Sequence, residues 1–159
     1  MIKNTSTVDK NTLINEVLNN HLYVDKEGFL LRYILEDYQN HPYYATGVKI
    51  SLYYDNGFPI ALAFYDSTQY YTIQVFTKKE YRNKGIAKKL VSDLFSQLDD
   101  KEKRTIRAGI GEDECCHLWL SLVKNNVMNE KHFDEFDVIE RKVDSSKVKF
   151  LIESFRKAS

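Results

Sequence analysis

The spacing of apolar residues along the chain alternates between two periods, and each stretch predicts its own element. Leu13, Ile14, Val17 and Leu18 recur at helical spacing behind Asp9-Lys10-Asn11-Thr12, a polar run suited to capping a helix start. A second, weaker helical pattern covers residues 29–38, ahead of Asn40-His41-Pro42. The period then drops to two. Val48, Ile50, Leu52 and Tyr54 alternate with Lys49, Ser51, Tyr53 and Asp55, which predicts a half-buried strand. Asp55-Asn56-Gly57 is a turn signal, and residues 59–65 read as the return strand. That strand is apolar on both faces, so an interior place in the sheet is expected. Residues 70–77 predict a third strand.

Helical spacing returns with Ala87, Leu90, Val91, Leu94, Phe95 and Leu98, which would form one buried face. Beyond it the pattern predicts a short strand over 105–110, a helix over 112–124 and a strand over 136–143. Residues 147–155 fit either period: Val148, Leu151, Ile152 and Phe155 suit a helix, Val148, Phe150 and Ile152 a strand. Helices mixed with a mostly antiparallel sheet predict an α+β fold.

A length of 159 residues suits one domain around one core. Within it, residues 1–46 form a helical N-terminal part, 48–124 a central unit and 125–159 a variable end. The share of apolar and aromatic residues is that of a globular chain. No repeat or low-complexity linker interrupts it. The start of the chain lacks the apolar core of a signal peptide, and no apolar run is long enough to span a bilayer. The two cysteines, Cys115 and Cys116, are adjacent, a poor arrangement for a structural disulfide. A reducing, cytoplasmic setting is therefore expected, with no membrane association.

Acids and bases cancel over the whole chain, which argues against a nucleic-acid partner. Locally they do not cancel. Lys78, Lys79, Arg82, Lys84, Lys88 and Lys89 crowd a stretch whose one acid is Glu80. This cluster straddles the junction between the strand over 70–77 and the helix that follows. A helix start carries unpaired N–H groups and the positive end of the helix dipole, so the junction is suited to anions. Gly85 lets the backbone approach a phosphate closely, and Ala87 intrudes little over the first turn. Arg82, Lys84, Lys88 and Lys89 add charge where several phosphate groups could lie. Neither the spacing of a P-loop nor that of a dinucleotide-binding turn is present. No metal site is expected.

The segment Arg82-Asn83-Lys84-Gly85-Ile86-Ala87, after a strand and opening a helix, resembles the acetyl-coenzyme A motif of the GNAT superfamily of N-acetyltransferases. The motif reads Arg/Gln-x-x-Gly-x-Gly/Ala; Arg82, Gly85 and Ala87 match its fixed positions, and Tyr81 before the arginine is also typical. The resemblance covers the chain from about Val48 to Lys124. It implies a GNAT-like domain with splayed central strands and acetyl-coenzyme A (acetyl-CoA) as acyl donor. The loop of Arg82, Asn83, Lys84, Gly85, Ile86, Ala87 and Lys88 would take the pyrophosphate. The backbone of Ile73, Gln74 and Val75, on the strand that corresponds to the family's fourth, would pair with the pantetheine arm, and an N–H near Val75 would face the oxyanion. A homodimer is an analogy from the same resemblance.

At the catalytic positions the pattern departs from the family. Trp119 stands where a tyrosine usually serves as acid for the leaving thiolate, and an indole N–H has no useful acidity at neutral pH. Glu112, Cys115 and Cys116 share a helical face with Trp119 and are candidates by position. The cysteines also read as small buried apolar residues, and Trp119 as core. The strand over 71–75 carries no acid to act as base. Glu112, His117, His132, Tyr53, Tyr65, Tyr70 and Tyr71 are candidates by type only. Asp134, Glu135 and Asp137 either rim an acceptor site or form a solvated loop. Two function classes follow. One is an N-acetyltransferase acting on a primary amine of a small molecule or protein. The other is a non-catalytic acyl-CoA sensor or protein-interaction module on the same fold.

Overall fold

In a computed structural model the described residues are 1–22, 28–68, 70–108, 116–129, 132 and 153. The alternating stretch and its return form a hairpin, β2 (Val48–Asp55) and β3 (Phe58–Asp66), joined through Asn56 and Gly57, both at positive φ. β4 (Tyr70–Thr77) pairs antiparallel with β3. A short strand at the start of the chain, β1 (Ile2–Asn4), pairs with β2 opposite Ser51 to Tyr53, so the sheet order is β1-β2-β3-β4. The hydrophobic pattern did not reveal β1. Three residues are too few to show a period, and the strand is made by pairing to β2.

β3 is buried along its whole length after Phe58, as an interior strand apolar on both faces must be. Each of its faces carries one layer of helices. On one face, α1 (Lys10–Asn19) and α2 (Gly28–Asn40) pack with Leu13, Ile14, Val17 and Leu35 against Ile50, Leu52, Leu62 and Phe64. Asp9 caps α1 by accepting a hydrogen bond from the Thr12 N–H at 3.3 Å, as the sequence predicted. On the other face lie α3 (Ile86–Ser96) and α5 (Cys116–Lys124), with Leu90, Val91, Leu94, Trp119 and Leu122 packed over Ala61, Ala63 and Tyr65. The α+β class and the run of central elements match the sequence pattern.

Two differences lie between α3 and α5. Residues 100–105 form a helix, α4 (Asp100–Thr105), so Thr105 ends a helix where a strand was expected. α4 has no buried residue and hence no hydrophobic period to read. It is held by a capping box instead: Asp99 Oδ1 accepts from the Glu102 N–H at 2.7 Å, and Glu102 Oε1 accepts from the Asp99 N–H at 3.2 Å. The strand expected over 105–110 is present, among the described residues, as one parallel bridge between Thr72 and Arg107. The strand expected over 136–143 and the ambiguous stretch 147–155 lie outside the described residues, apart from Glu153.

Candidate functional site

Two features of β4 shape the candidate site. Between the pairs Phe64–Gln74 and Asp66–Tyr70, β3 has one residue, Tyr65, where β4 has three, Tyr71, Thr72 and Ile73. This bulge interrupts the β3–β4 ladder. Within it the Ile73 N–H donates to the Arg107 carbonyl at 2.7 Å, joining β4 to the next segment. Ile73 is buried, while Gln74 and Val75 are half-buried, so the strand expected to carry the pantetheine arm is partly accessible.

Beyond Thr77 the chain makes a short 3-10 turn, Lys79–Tyr81, and enters the loop. The loop is tied down at several points. The Lys78 N–H donates to the Ile60 carbonyl at 2.9 Å, and the Tyr81 hydroxyl donates to Asp55 Oδ2 at 2.9 Å across to the β2–β3 turn. That bond raises the phenol's pKa and keeps it protonated. Arg82 donates Nε to the Thr77 carbonyl at 2.8 Å, with its guanidinium 5.8 Å from the centre of the Phe76 ring. The two Nη groups remain at the exposed end of the side chain. Lys84 lies 5.6 Å from the Tyr81 ring centre.

The backbone then forms an anion cradle. Asn83 and Gly85 take left-handed φ values of 64° and 78°, and Ile86 begins α3 in the ordinary helical conformation. Alternation of this kind turns successive N–H groups to one side. Gly85 is the N-cap of α3 and has no side chain to bond the first turn. The first helical hydrogen bond runs from the Lys89 N–H to the Gly85 carbonyl, so the N–H groups of Ile86, Ala87 and Lys88 precede any intrahelical acceptor. A Cβ built on Gly85 would meet nothing within 4 Å, so the space over the cap is open. Exposed Arg82, Lys84 and Lys89 and half-buried Lys88 surround it. Open backbone donors, a helix N-terminus and four cations suit a pyrophosphate.

One residue of the expected buried face changes place. Ile86, not Ala87, begins the apolar side of α3; Ile86 is buried and Ala87 half-exposed. The glycine cap sets the first turn so that Ile86 meets the core. Ile86 can therefore offer a ligand only its N–H, and Ala87 stands over the first turn.

The catalytic candidates fare differently. Glu112 and Cys115 lie outside the described residues, as do Asp134, Glu135 and Asp137. Cys116 opens α5 with His117 next, and their side chains lie outside the described residues, like those of Tyr70 and Tyr71 on β4. Trp119 is buried in the α3–α5 core, as its apolar reading predicted. Tyr65 is wholly buried in the same core, and Tyr53 packs half-buried against it. His132 is corrected from a candidate base to a structural group. Its Nδ1 accepts from the Asn129 N–H at 2.9 Å, which leaves Nε2 to donate to the Lys103 carbonyl at 2.6 Å. With both nitrogens bound it holds the neutral form. Burial, foremost, and the Arg107 charge lower its pKa, against a smaller upward effect of the Lys103 carbonyl.

Sequence reasoning missed a polar set that orients α3. Asp93 Oδ2 accepts from Asn4 Nδ2 at 3.0 Å and from the Ser51 hydroxyl at 2.6 Å. Gln97 Nε2 donates to Ser51 Oγ at 2.8 Å, and the Thr5 hydroxyl donates to Gln97 Oε1 at 2.7 Å. Asp93 on α3 and Gln97 at its C-cap are four residues apart, a spacing that could have signalled a shared polar partner in the sheet.

No family model matches the chain, and no curated protein matches it. Two solved structures align with it. One is a ribosomal-protein-alanine N-acetyltransferase from Brucella melitensis, at 13% identity and TM-score 0.46, over 76% of this chain and 82% of that one. The other is an N-acetyltransferase from Staphylococcus aureus Mu50, at 20% identity and TM-score 0.47, over 77% and 81%. Neither alignment bears on the chemistry of the loop, which rests on the loop's own geometry.

Proposed function

We propose that the chain is an N-acetyltransferase that moves an acetyl group from acetyl-CoA to a primary amine. The observation that carries this reading is the cradle at Gly85: a left-handed cap, uncapped N–H groups and four flanking cations at the end of a bulged strand. Arg82, Asn83, Lys84, Gly85, Ala87 and Lys88, with the N–H of Ile86, would hold the pyrophosphate. Ile73, Gln74 and Val75 would align the pantetheine arm. The donor supplies a thioester; the neutral amine adds to its carbonyl carbon, the C–S bond breaks, and the amine proton passes to solvent or to the departing thiolate. Holding the two reactants in contact supplies much of such a rate, so the chemistry does not demand a dedicated acid. The setting proposed is cytoplasmic; among the described residues no helix is long and apolar enough to cross a membrane.

The test is calorimetric titration of acetyl-CoA into the wild-type protein and into an Arg82→Ala, Gly85→Glu variant. Binding to the wild type that the folded variant loses supports the site. No binding to the folded wild type removes the proposal.

A second reading, an acyl-CoA-binding module without turnover, is favoured by the burial of Trp119 where the family's acid would stand. Release of free thiol in the presence of an amine separates the two. Binding without release under a broad set of amines supports the module.

A further inference from the structure

At the end of β4 away from the phosphate loop, a groove of about 800 Å³ lies between the start of β2, the β3–β4 turn and α4. Its volume is in the range of small-molecule sites. Its wall is built rather than incidental. A Cβ on Gly47 would stand 2.6 Å from Ser67 Oγ, 2.7 Å from Thr68 Cγ2 and 2.9 Å from Asp66 Oδ1, so the side chains of the turn close down onto the bare backbone of Gly47. The fully buried Asp66 holds that turn by accepting from the Tyr38 hydroxyl and from the N–H and hydroxyl of Thr68, the latter two at 2.8 and 2.7 Å.

The charges lining the groove are unequal in what they have left to offer. Asp99 and Glu102 are engaged in the capping box of α4. Lys49 and Lys101 have no carboxylate within ion-pairing distance and no side-chain hydrogen bond among the described residues. Arg107 lines the same space, and its own carbonyl accepts from the Ile73 N–H of β4. The groove thus opens beside the point where β4 meets the next segment. Two ammonium groups stand there with no ion-pair partner among the described residues.

We propose that this groove seats the amine acceptor and that Lys49 and Lys101 select acceptors bearing an anionic group, a carboxylate in the first instance, beside the amine. This rests on the transferase reading above. The direction of β4 supports it. From Thr77, next to the phosphate loop, to Ile73 the strand spans about 13 Å at roughly 3.3 Å per residue, and there the Arg107 segment takes the Ile73 N–H and closes the edge. A thioester delivered along β4 from the Gly85 loop therefore stops at that junction, between Val75 and Arg107, and the acceptor must approach from the end the arm does not occupy. Polycationic acceptors such as polyamines meet three cations there against the two carboxylates of Asp99 and Glu102, which stay charged in the capping box, and so gain less than an acceptor that carries a carboxylate.

The test compares L-leucine with L-leucinamide, which differ in the carboxylate, and with spermidine, in a thiol-release assay on the wild type and on a Lys49→Gln, Lys101→Gln variant. Acetyl-CoA titration accompanies both proteins. The expected result is a kcat/KM about tenfold or more higher for L-leucine than for the amide, equivalent to roughly 1.4 kcal/mol. The variant should lose that preference through KM while binding acetyl-CoA unchanged. Equal use of the two amines, or a preference that survives in the variant, overturns the groove assignment and leaves the transferase reading intact. Failure of the wild type to bind acetyl-CoA overturns both. If the protein binds acetyl-CoA but transfers to none of the three, amide-shift NMR with coenzyme A present decides. Shifts at Lys49, Lys101 and Arg107 with L-leucine but not with L-leucinamide support the seat, and their absence overturns it.

Discussion

Gly85 is held at φ 78° with open space where a Cβ would stand, so its requirement for glycine lies in the backbone alone. A left-handed residue with a Cβ costs about 1–2 kcal/mol. Gly85→Ala is therefore expected to lower unfolding free energy by about 1 kcal/mol, and Gly85→Asn by less, since Asn83 already takes φ 64° two positions earlier. Urea denaturation of the three proteins checks this order; equal stability would show that the loop relaxes out of the left-handed region.

His132 gives the residue scale a pH dependence. Its folded pKa lies below the ordinary 6.5, so between the two values the unfolded chain binds more protons than the folded one. Its contribution is fully present above pH 6.5 and is lost as pH falls through the folded value. His132→Gln should flatten this part of the stability profile between neutral and mildly acidic pH. A profile identical to wild type would mean that the imidazole takes up its proton alike in the folded and unfolded states.

At the scale of elements, α3 is the part on which the loop depends, because its first turn is the floor of the cradle. Two kinds of contact hold it: the apolar face against β3, and the Asp93–Ser51–Asn4 and Gln97–Thr5 bonds to β1 and β2. Leu90 is wholly buried, and Leu90→Ala should cost about 2–5 kcal/mol. Asp93→Ala leaves the buried Ser51 hydroxyl without its acceptor and should cost about 1–3 kcal/mol. Denaturation midpoints test both. A cost for Asp93→Ala below a few tenths of a kcal/mol would mean that Ser51 finds another acceptor.

At the scale of the whole molecule, a formal net charge of zero conceals a concentrated basic loop. Arg82, Lys84 and Lys89 are exposed, so their attraction for a phosphate is open to screening. Going from about 0.1 M to about 1 M salt shortens the Debye length from about 10 Å to about 3 Å. Acetyl-CoA affinity should fall several-fold over that range by calorimetry. An affinity independent of salt would place the binding energy in the pantetheine arm instead of the pyrophosphate.

The sequence alone determined the helices and strands whose hydrophobic period is long enough to read: α1, α2, the β2–β3 hairpin, β4 and α3. It also pointed to the loop proposed to hold phosphate, because every group such a cradle needs lies within a few consecutive residues at a strand–helix junction. Local chemistry is legible when its parts are neighbours in the chain. The features that the hydrophobic pattern did not reveal involve partners far apart. β1 exists through pairing with β2, α4 through a cap instead of a core face, and His132 lost its candidacy as a base because Lys103 and Asn129 occupy both of its nitrogens. The groove joins Lys49 to Lys101 and Arg107 only because β2, α4 and the segment after it converge on one end of the sheet. Hydrophobic period reports which face of an element is buried, and it carries no record of which distant polar groups the burial brings together.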